Sequence, residues 1–317
     1  MLSTRVGQIA LENPLMNASG TFGSGREFAD FYDTRVLGAV VSKSVTPLPT
    51  LGNPPPRVVE VAGGMLNAIG LQNEGLDYFV RNLLPALRRD AKVAVANVAG
   101  KCEEDYETVV RGLSAPGLAA AGLRLDALEI NVSCPNVKSG GMGFGTDPAV
   151  AGRLVARLRA ATSLPLWVKL SPNVTDVAAI ARAVADAGAD ALVVCNTFLG
   201  MAIDVERRRP ILANVTGGMS GPAVHPLALR CVWQVAGAVS CPVVACGGVA
   251  SVRDVLDFLM AGAAAVQVGM ANFSEPGVLP RLLGELGDWC QRHHATVREL
   301  IGAARHGPRP NAPTPKP

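Results

Sequence analysis

Residues 127–141 read ALEINVSCPNVKSGG. An aliphatic run too short for a helix ends in an amide, a hydroxyl and a thiol, and a glycine-rich stretch follows. Asp147-Pro148 then reads as an N-cap with proline at the first helical position, and Val150, Leu154, Val155 and Leu158 recur at helical spacing. The segment is a strand, a polar loop and a helix. Outward from it the unit repeats. Aliphatic runs at 15–18, 39–44, 92–97, 127–131, 166–170, 191–196, 242–246 and 264–268 give eight expected strands, the number that closes a parallel barrel. Ser251 with Asp254 forms a capping-box pattern whose helix stops at Gly262, and residues 176–187 form another helix ended by Gly188.

The expected fold is α/β: a single (β/α)8 TIM barrel over residues 1–305, with its active site at the C-terminal rim of the strands. Composition agrees. In 317 residues, 49% are hydrophobic and only 4% aromatic, which suits parallel strands buried on both faces by aliphatic side chains. The last residues, 306–317 (HGPRPNAPTPKP), are too rich in proline for helix or strand and are expected to be disordered. Long loops rich in Gly and Pro, at 46–56 and 63–75, follow the second strand and are expected to be either functional or disordered.

Several classes are disfavoured. Twenty-nine basic against 26 acidic residues give +3, too little for a nucleic-acid partner. Seven cysteines (Cys102, Cys134, Cys195, Cys231, Cys241, Cys246 and Cys290) contain no C-x-x-C pair, so no metal site is expected. Residues 232–252 carry no charge, but Gln234, Pro242, Gly247-Gly248 and Ser251 interrupt them; a buried helix, turn and strand are expected there, not a membrane span. With no signal segment at Met1, a reducing cytoplasm is the expected compartment.

The strand ends carry the chemistry. They read Lys43-Ser44, Asn97, Asn131 with Ser133-Cys134, Lys169, Asn196-Thr197, Gly247-Gly248 and Gly269. Polar groups at consecutive strand ends mark the catalytic rim of such a barrel, and the glycines after strands seven and eight occupy its usual phosphate-binding place. Asn67, Asn131 and Asn196 offer paired donors and acceptors for a planar ring bearing N–H and C=O groups. Lys43 and Lys169 can match a carboxylate, pair with a carboxylate of the protein, or, for Lys169, form a Schiff base as in barrel aldolases. A free cysteine is most often a small buried hydrophobe. Cys134 differs in sitting on a rim loop before Pro135, where a thiol can serve as a base close to neutral pH.

At these residues the chain resembles the dihydroorotate dehydrogenases, and in particular their NAD-linked type 1B catalytic subunits. The motifs are NASGTFG at 17–23, Lys43-Ser44, GNPPPRV at 52–58, NAIGLQN at 67–73, NVAG at 97–100, NVSCPNVKSGGMGFG at 131–145, KLSP at 169–172, Asn196-Thr197, GGMSGP at 217–222 and Gly247-Gly248. The resemblance implies oxidation of (S)-dihydroorotate to orotate in pyrimidine synthesis, Cys134 taking the C5 proton and N5 of FMN the C6 hydride. It implies that Ser19, Lys43, Ser44, Asn97, Asn131, Lys169, Cys195, Gly221, Gly247, Gly248, Gly269 and Met270 line FMN. It assigns the substrate to Lys43, Asn67, Ala68, Ile69, Gly70, Leu71, Asn131, Asn196 and Thr197. It further implies a homodimer within a heterotetramer, whose partner subunit carries FAD and a [2Fe–2S] cluster and passes electrons to NAD. Two residues depart from the family pattern: Met270 stands where Thr is usual, and Cys195 where an aliphatic residue is usual. Alternatives are a fumarate-linked type 1A enzyme, a dihydropyrimidine dehydrogenase-like subunit, and a Schiff-base aldolase built on Lys169.

Overall fold

The computed structural model describes residues 1–133 and 143–306. Eight parallel strands form one sheet: β1 (Leu15–Asn17), β2 (Val40–Val41), β3 (Ala94–Val98), β4 (Ala127–Asn131), β5 (Leu166–Lys169), β6 (Ala191–Val194), β7 (Val243–Cys246) and β8 (Ala263–Val268). Their spatial order runs β1-β8-β7-β6-β5-β4-β3-β2, and a parallel bridge between Met16 and Ala39 joins the two ends into a barrel. The Asn17 amide strengthens this seam, accepting from Val41 N at 2.9 Å and donating to Val41 O at 2.7 Å.

Side chains alternate along each strand, and the alternation divides the core. Leu128, Ile130, Leu166 and Val168 face the helices in one apolar cluster. Met16, Val41, Val95, Ala127, Trp167, Ala191, Val193, Val244 and Ala265 fill the lower barrel interior in another. An antiparallel hairpin, Thr4–Val6 against Ile9–Leu11, adds Val6 and Leu11 to that second cluster and is tied to β8 by Thr4 Oγ1 donating to Ala264 O at 2.9 Å. The floor of the barrel is thus apolar, so polar interior groups are confined to the opposite end.

The surrounding helices include α1 (Leu84–Asp90), α2 (Glu103–Leu113), α3 (Pro148–Ala161), α4 (Val177–Asp186), α5 (His225–Ala236), α6 (Val252–Ala261) and α7 (Val278–Arg292). The caps stand where the sequence puts them. Asp147 accepts from Val150 N, Asp176 from Ala178 N and Ala179 N, and Ser251 and Asp254 complete a capping box.

Three expectations need revision. The second strand, expected over 39–44, is regular only at Val40–Val41; Ser42 N still donates to Val95 O at 2.9 Å, but Lys43 N then turns away to Gly23 O at 2.7 Å. The loops at 46–56 and 63–75 are not wholly irregular. Val58–Val61 pairs with Gly64–Asn67, which pairs with Thr216–Ser220, which pairs with Phe198–Met201, giving a four-stranded antiparallel sheet that joins the loops after β2 and β6. The final turn, Ala303–His306, includes the first residue of the expected disordered tail, and residues 307–317 lie outside the described residues. The uncharged stretch 232–252 comprises the end of α5, a turn, β7 and its rim loop, and no described helix is long and apolar enough to cross a membrane.

Candidate active site

At the rim the interior turns polar. Glu129 of β4 is fully buried, and its two oxygens are each claimed by an amide: Asn97 Nδ2 donates to Oε1 at 2.6 Å and Gln267 Nε2 to Oε2 at 2.6 Å. Lys169 of β5 projects into the same layer, with Nζ 3.8 Å from Glu129 Oε1, 3.4 Å from Gln267 Oε1 and 3.3 Å from Ser19 Oγ. Burial pulls the Lys169 ammonium down, yet its net shift is upward, from Cys246, Glu129 and Cys195. Burial drives the Cys246 thiol up, and a hydrogen bond to Cys231 with burial drives Cys195 up, so both are neutral near pH 7. Glu129 is therefore the charge that keeps Lys169 protonated. Ser19 and Ser44 finish this layer. Asn97 Nδ2 also lies 3.3 Å from Ser19 Oγ, and Ser44 Oγ donates to Asn97 Oδ1 at 2.5 Å.

On one side of this layer the expected substrate groups converge. Asn196 Nδ2 donates to Asn131 Oδ1 at 3.2 Å, and Asn131 Oδ1 also accepts from Ser133 N at 3.2 Å. Asn196 Oδ1 holds Thr197 N at 2.8 Å, and Thr197 packs its side chain over Gly218. Gly218 O accepts from Asn67 Nδ2 at 3.2 Å, so the small sheet delivers Asn67 to the Asn196-Thr197 end of β6. Ala68, Ile69, Gly70 and Leu71 follow in a loop pinned from both sides. Asn53 N donates to Ile69 O, Asn53 Nδ2 to Ala68 O, and Asn73 Nδ2 to Leu71 O. Leu71 is held at φ +60°, a conformation a branched side chain adopts only when its surroundings impose it. Lys43 is half-buried and, among the described residues, has no carboxylate within ion-pair distance. Burial and the neighbouring Arg57 hold its ammonium below the usual lysine value, against the weaker pull of Glu27 and Glu74.

Where the small sheet ends, after Ser220, lies a cradle of glycines. Gly221 has φ +110°, and a Cβ on it would stand 2.5 Å from Gly64 Cα and 2.7 Å from Met270 Sδ. Gly248 has φ +73°, and a Cβ there would meet His225 N at 2.6 Å and Gly221 O at 2.8 Å. Only glycine lets the backbones approach so closely. Among the described residues, the N–H groups of Gly248, Gly269 and Met270 reach no protein acceptor, although all three residues are partly exposed. Three such donors, one beside the start of α5 and two at the end of β8, suit an anion. The donor set, the glycine cradle and the buried cation together fit a phosphorylated, electron-accepting ring cofactor such as FMN.

The sequence-chosen residues thus meet at one rim, with two exceptions. Cys134, the expected base, lies outside the described residues. Cys195 sends its thiol to Cys231 of α5 and its N–H to Cys246 O at 2.9 Å, so only its carbonyl is left for a ligand. Met270, the other departure, lays its thioether against Gly221, a packing role a threonine hydroxyl could not fill. Sequence reading missed Glu129 and Gln267, although each is a polar residue at an inward position within an apolar strand. It also missed Tyr106, whose hydroxyl donates to Asn131 O at 2.7 Å, and Asn173, whose amide spans Thr197 O and Leu199 N at 3.0 and 2.9 Å.

Comparison with known proteins agrees with this architecture. The dihydroorotate dehydrogenase family model matches residues 1–289. A protein of Geobacter sp. (strain M21), named dihydroorotate dehydrogenase B (NAD(+)), catalytic subunit, is 51% identical over 303 residues, 95% of this chain and 97% of its own. Similar proteins of the same name come from Trichlorobacter lovleyi, 52% identical over 95% of this chain and 98% of theirs, and from Listeria welshimeri, 50% identical over 90% and 92%. The glycine cradle, the paired asparagines and the buried lysine therefore sit in a chain that belongs to the dihydroorotate dehydrogenase family.

Proposed function

We propose that this chain is the catalytic subunit of an NAD-linked dihydroorotate dehydrogenase, oxidising (S)-dihydroorotate to orotate for pyrimidine synthesis in the cytoplasm. One observation carries the reading. Lys43, a half-buried lysine with no carboxylate partner among the described residues, shares a rim with the Asn131–Asn196 amide pair and with three backbone donors unpaired among those residues. A flat acid bearing ring amides answers the first two, and a cofactor phosphate answers the third.

FMN bound across Ser19, Lys43, Ser44, Asn97, Asn131, Lys169, Cys195, Gly221, Gly247, Gly248, Gly269 and Met270 would supply the two-electron acceptor. The chain's own groups do the rest. Lys43 neutralises the substrate carboxylate, and Asn67, Asn131, Asn196 and Thr197 fix the ring through its N–H and C=O groups. The loop from Ala68 to Leu71 closes over the substrate with its conformation already set, which lowers the ordering cost of binding. Cys134 takes the proton from C5, and the two electrons leave with the hydrogen from C6. Lys169, kept charged by Glu129, offsets the negative charge that reduction brings to the barrel mouth. The same pairing argues against a Schiff-base aldolase, since a lysine held protonated is a poor nucleophile. A partner subunit carrying FAD and a [2Fe–2S] cluster would pass the electrons to NAD, in a heterotetramer built on a dimer of catalytic chains.

Purified protein should be yellow, with one FMN per chain, and should bleach anaerobically on mixing with dihydroorotate. Turnover with NAD should require the co-expressed partner. Direct turnover with fumarate would assign the type 1A branch, reduction by uracil's dihydro form would assign the dihydropyrimidine branch, and a colourless protein trapped by borohydride would overturn the flavin reading.

A further inference from the structure

Directly behind the glycine cradle, His225 at the start of α5 faces two carboxylates of α6. Its Nε2 lies 3.7 Å from Asp254 Oδ1 and 3.6 Å from Asp257 Oδ2. The histidine is only 9% exposed, and Nε2, closed off from solvent, reaches no hydrogen-bond partner among the described residues. Its other nitrogen is committed. Nδ1 lies 3.3 Å from Gly247 O, which can only accept, so Nδ1 carries the hydrogen. In the neutral ring, Nε2 then presents a bare lone pair to two negatively charged groups, an arrangement that asks for a cation between them.

The carboxylates are set for that role. Asp254 and Asp257 are three residues apart and share a face of α6. Asp254 Oδ2 is spent on the cap, accepting from Ala250 N at 2.9 Å and Ser251 N at 2.8 Å, which leaves Oδ1 turned to the histidine. Phe258 packs edge-on against the imidazole, with ring centroids 4.7 Å apart, and fixes its plane. All three ligand atoms lie within 4.8 Å of one another. Tetrahedral ligands around zinc stand about 3.3–3.6 Å apart, given bonds of roughly 2.0–2.2 Å. The two histidine–carboxylate separations, 3.7 and 3.6 Å, lie close to this, and the two carboxylate oxygens, within 4.8 Å of each other, would be drawn together by side-chain rotation. An imidazole in the set favours zinc or a neighbouring first-row ion over magnesium or calcium.

We propose that His225 Nε2, Asp254 Oδ1 and Asp257 Oδ2 bind one divalent first-row cation, zinc foremost, with water completing its shell, and that the ion clamps α5 to α6 behind Gly247-Gly248. The site is distinct from the redox chemistry. Its role is positional: through Nδ1 it holds the Gly247 carbonyl, and with it the turn that presents the Gly248 N–H.

The test uses the full chain, freed of metal by a chelator and titrated with zinc sulfate against a chromophoric zinc indicator. One zinc per chain should outcompete the indicator and raise the thermal midpoint. Asp257→Asn, at a partly exposed side chain outside the cap, should weaken zinc at least about tenfold and abolish the rise, and His225→Gln should do the same. Failure of wild-type protein to take zinc from the indicator would overturn the site, leaving a doubly protonated imidazole held by the two carboxylates. Equal affinity in wild type and Asp257→Asn would overturn it too, since the zinc would then sit on other groups such as the cysteines.

Discussion

Lys169 Nζ stands 3.8 Å from Glu129 Oε1, and neither side chain is more than 5% exposed. Two charges removed from water offset each other's desolvation only while both are present. Glu129→Gln keeps the shape but leaves Lys169 uncompensated and gives the Asn97 and Gln267 amides one acceptor oxygen where they had two. Urea unfolding should show a loss of about 3–5 kcal/mol. The exposed pair Lys92–Glu12 provides the contrast, and Glu12→Gln should cost under about 1 kcal/mol. The pH dependence has a definite sign. Lys169 is raised above its ordinary value of 10.5, so its contribution is complete below that pH and fades only as pH climbs through the higher folded-state value.

Lys43 shifts the other way, and its effect is on binding. Lys43→Ala should raise the KM for dihydroorotate roughly 10- to 100-fold, as expected for a lost charged hydrogen bond worth about 1.5–3 kcal/mol. In the intact protein, burial and Arg57 release the Lys43 proton below the ordinary value of 10.5. KM should therefore climb with alkaline pH before a free lysine would titrate. A KM flat through that range, or unchanged in Lys43→Ala, would remove Lys43 from the carboxylate site.

Two glycines separate conformation from space. Gly248→Ala places a Cβ 2.6 Å from His225 N at a positive φ and should cost on the order of 1–3 kcal/mol, with flavin lost on gel filtration. Gly284 lies exposed within α7, with nothing within 4 Å of an added Cβ. Gly284→Ala should stabilise the chain by about 0.5–1 kcal/mol and leave flavin content unchanged, as thermal unfolding and flavin absorbance would show.

Cys134→Ala should retain flavin yet slow its anaerobic reduction by dihydroorotate about 10²- to 10⁴-fold near neutral pH, the usual range for loss of a general base. Stopped-flow absorbance reads this directly. Reduction at the wild-type rate would place the base elsewhere.

Local signals carried well from sequence to structure. Asp147, Asp176 and the Ser251–Asp254 box were legible as helix starts because a cap is satisfied by backbone N–H groups two or three residues away. The eight barrel strands were legible because burial on both faces demands uninterrupted aliphatic runs. The small antiparallel sheet was not. Its partners Asn67 and Gly218 are 151 residues apart, and Gly64, Gly217 and Gly218 lack the side chains that mark strands.

The amino-acid order alone determined the barrel, the starts of the helices after Asp147, Asp176 and Ser251, and the polar character of the rim, since each depends on periodicity and on neighbours within a turn. Tertiary structure decided which polar groups share a charge. Glu129 and Gln267, 138 residues apart, meet only because β8 curls round beside the other strands, and the same closure brings Lys169 to Ser19 across 150. No local pattern encodes such pairs. They follow from barrel closure, which sets the distances, and from the cost of burying a charge without a partner, which selects the residues.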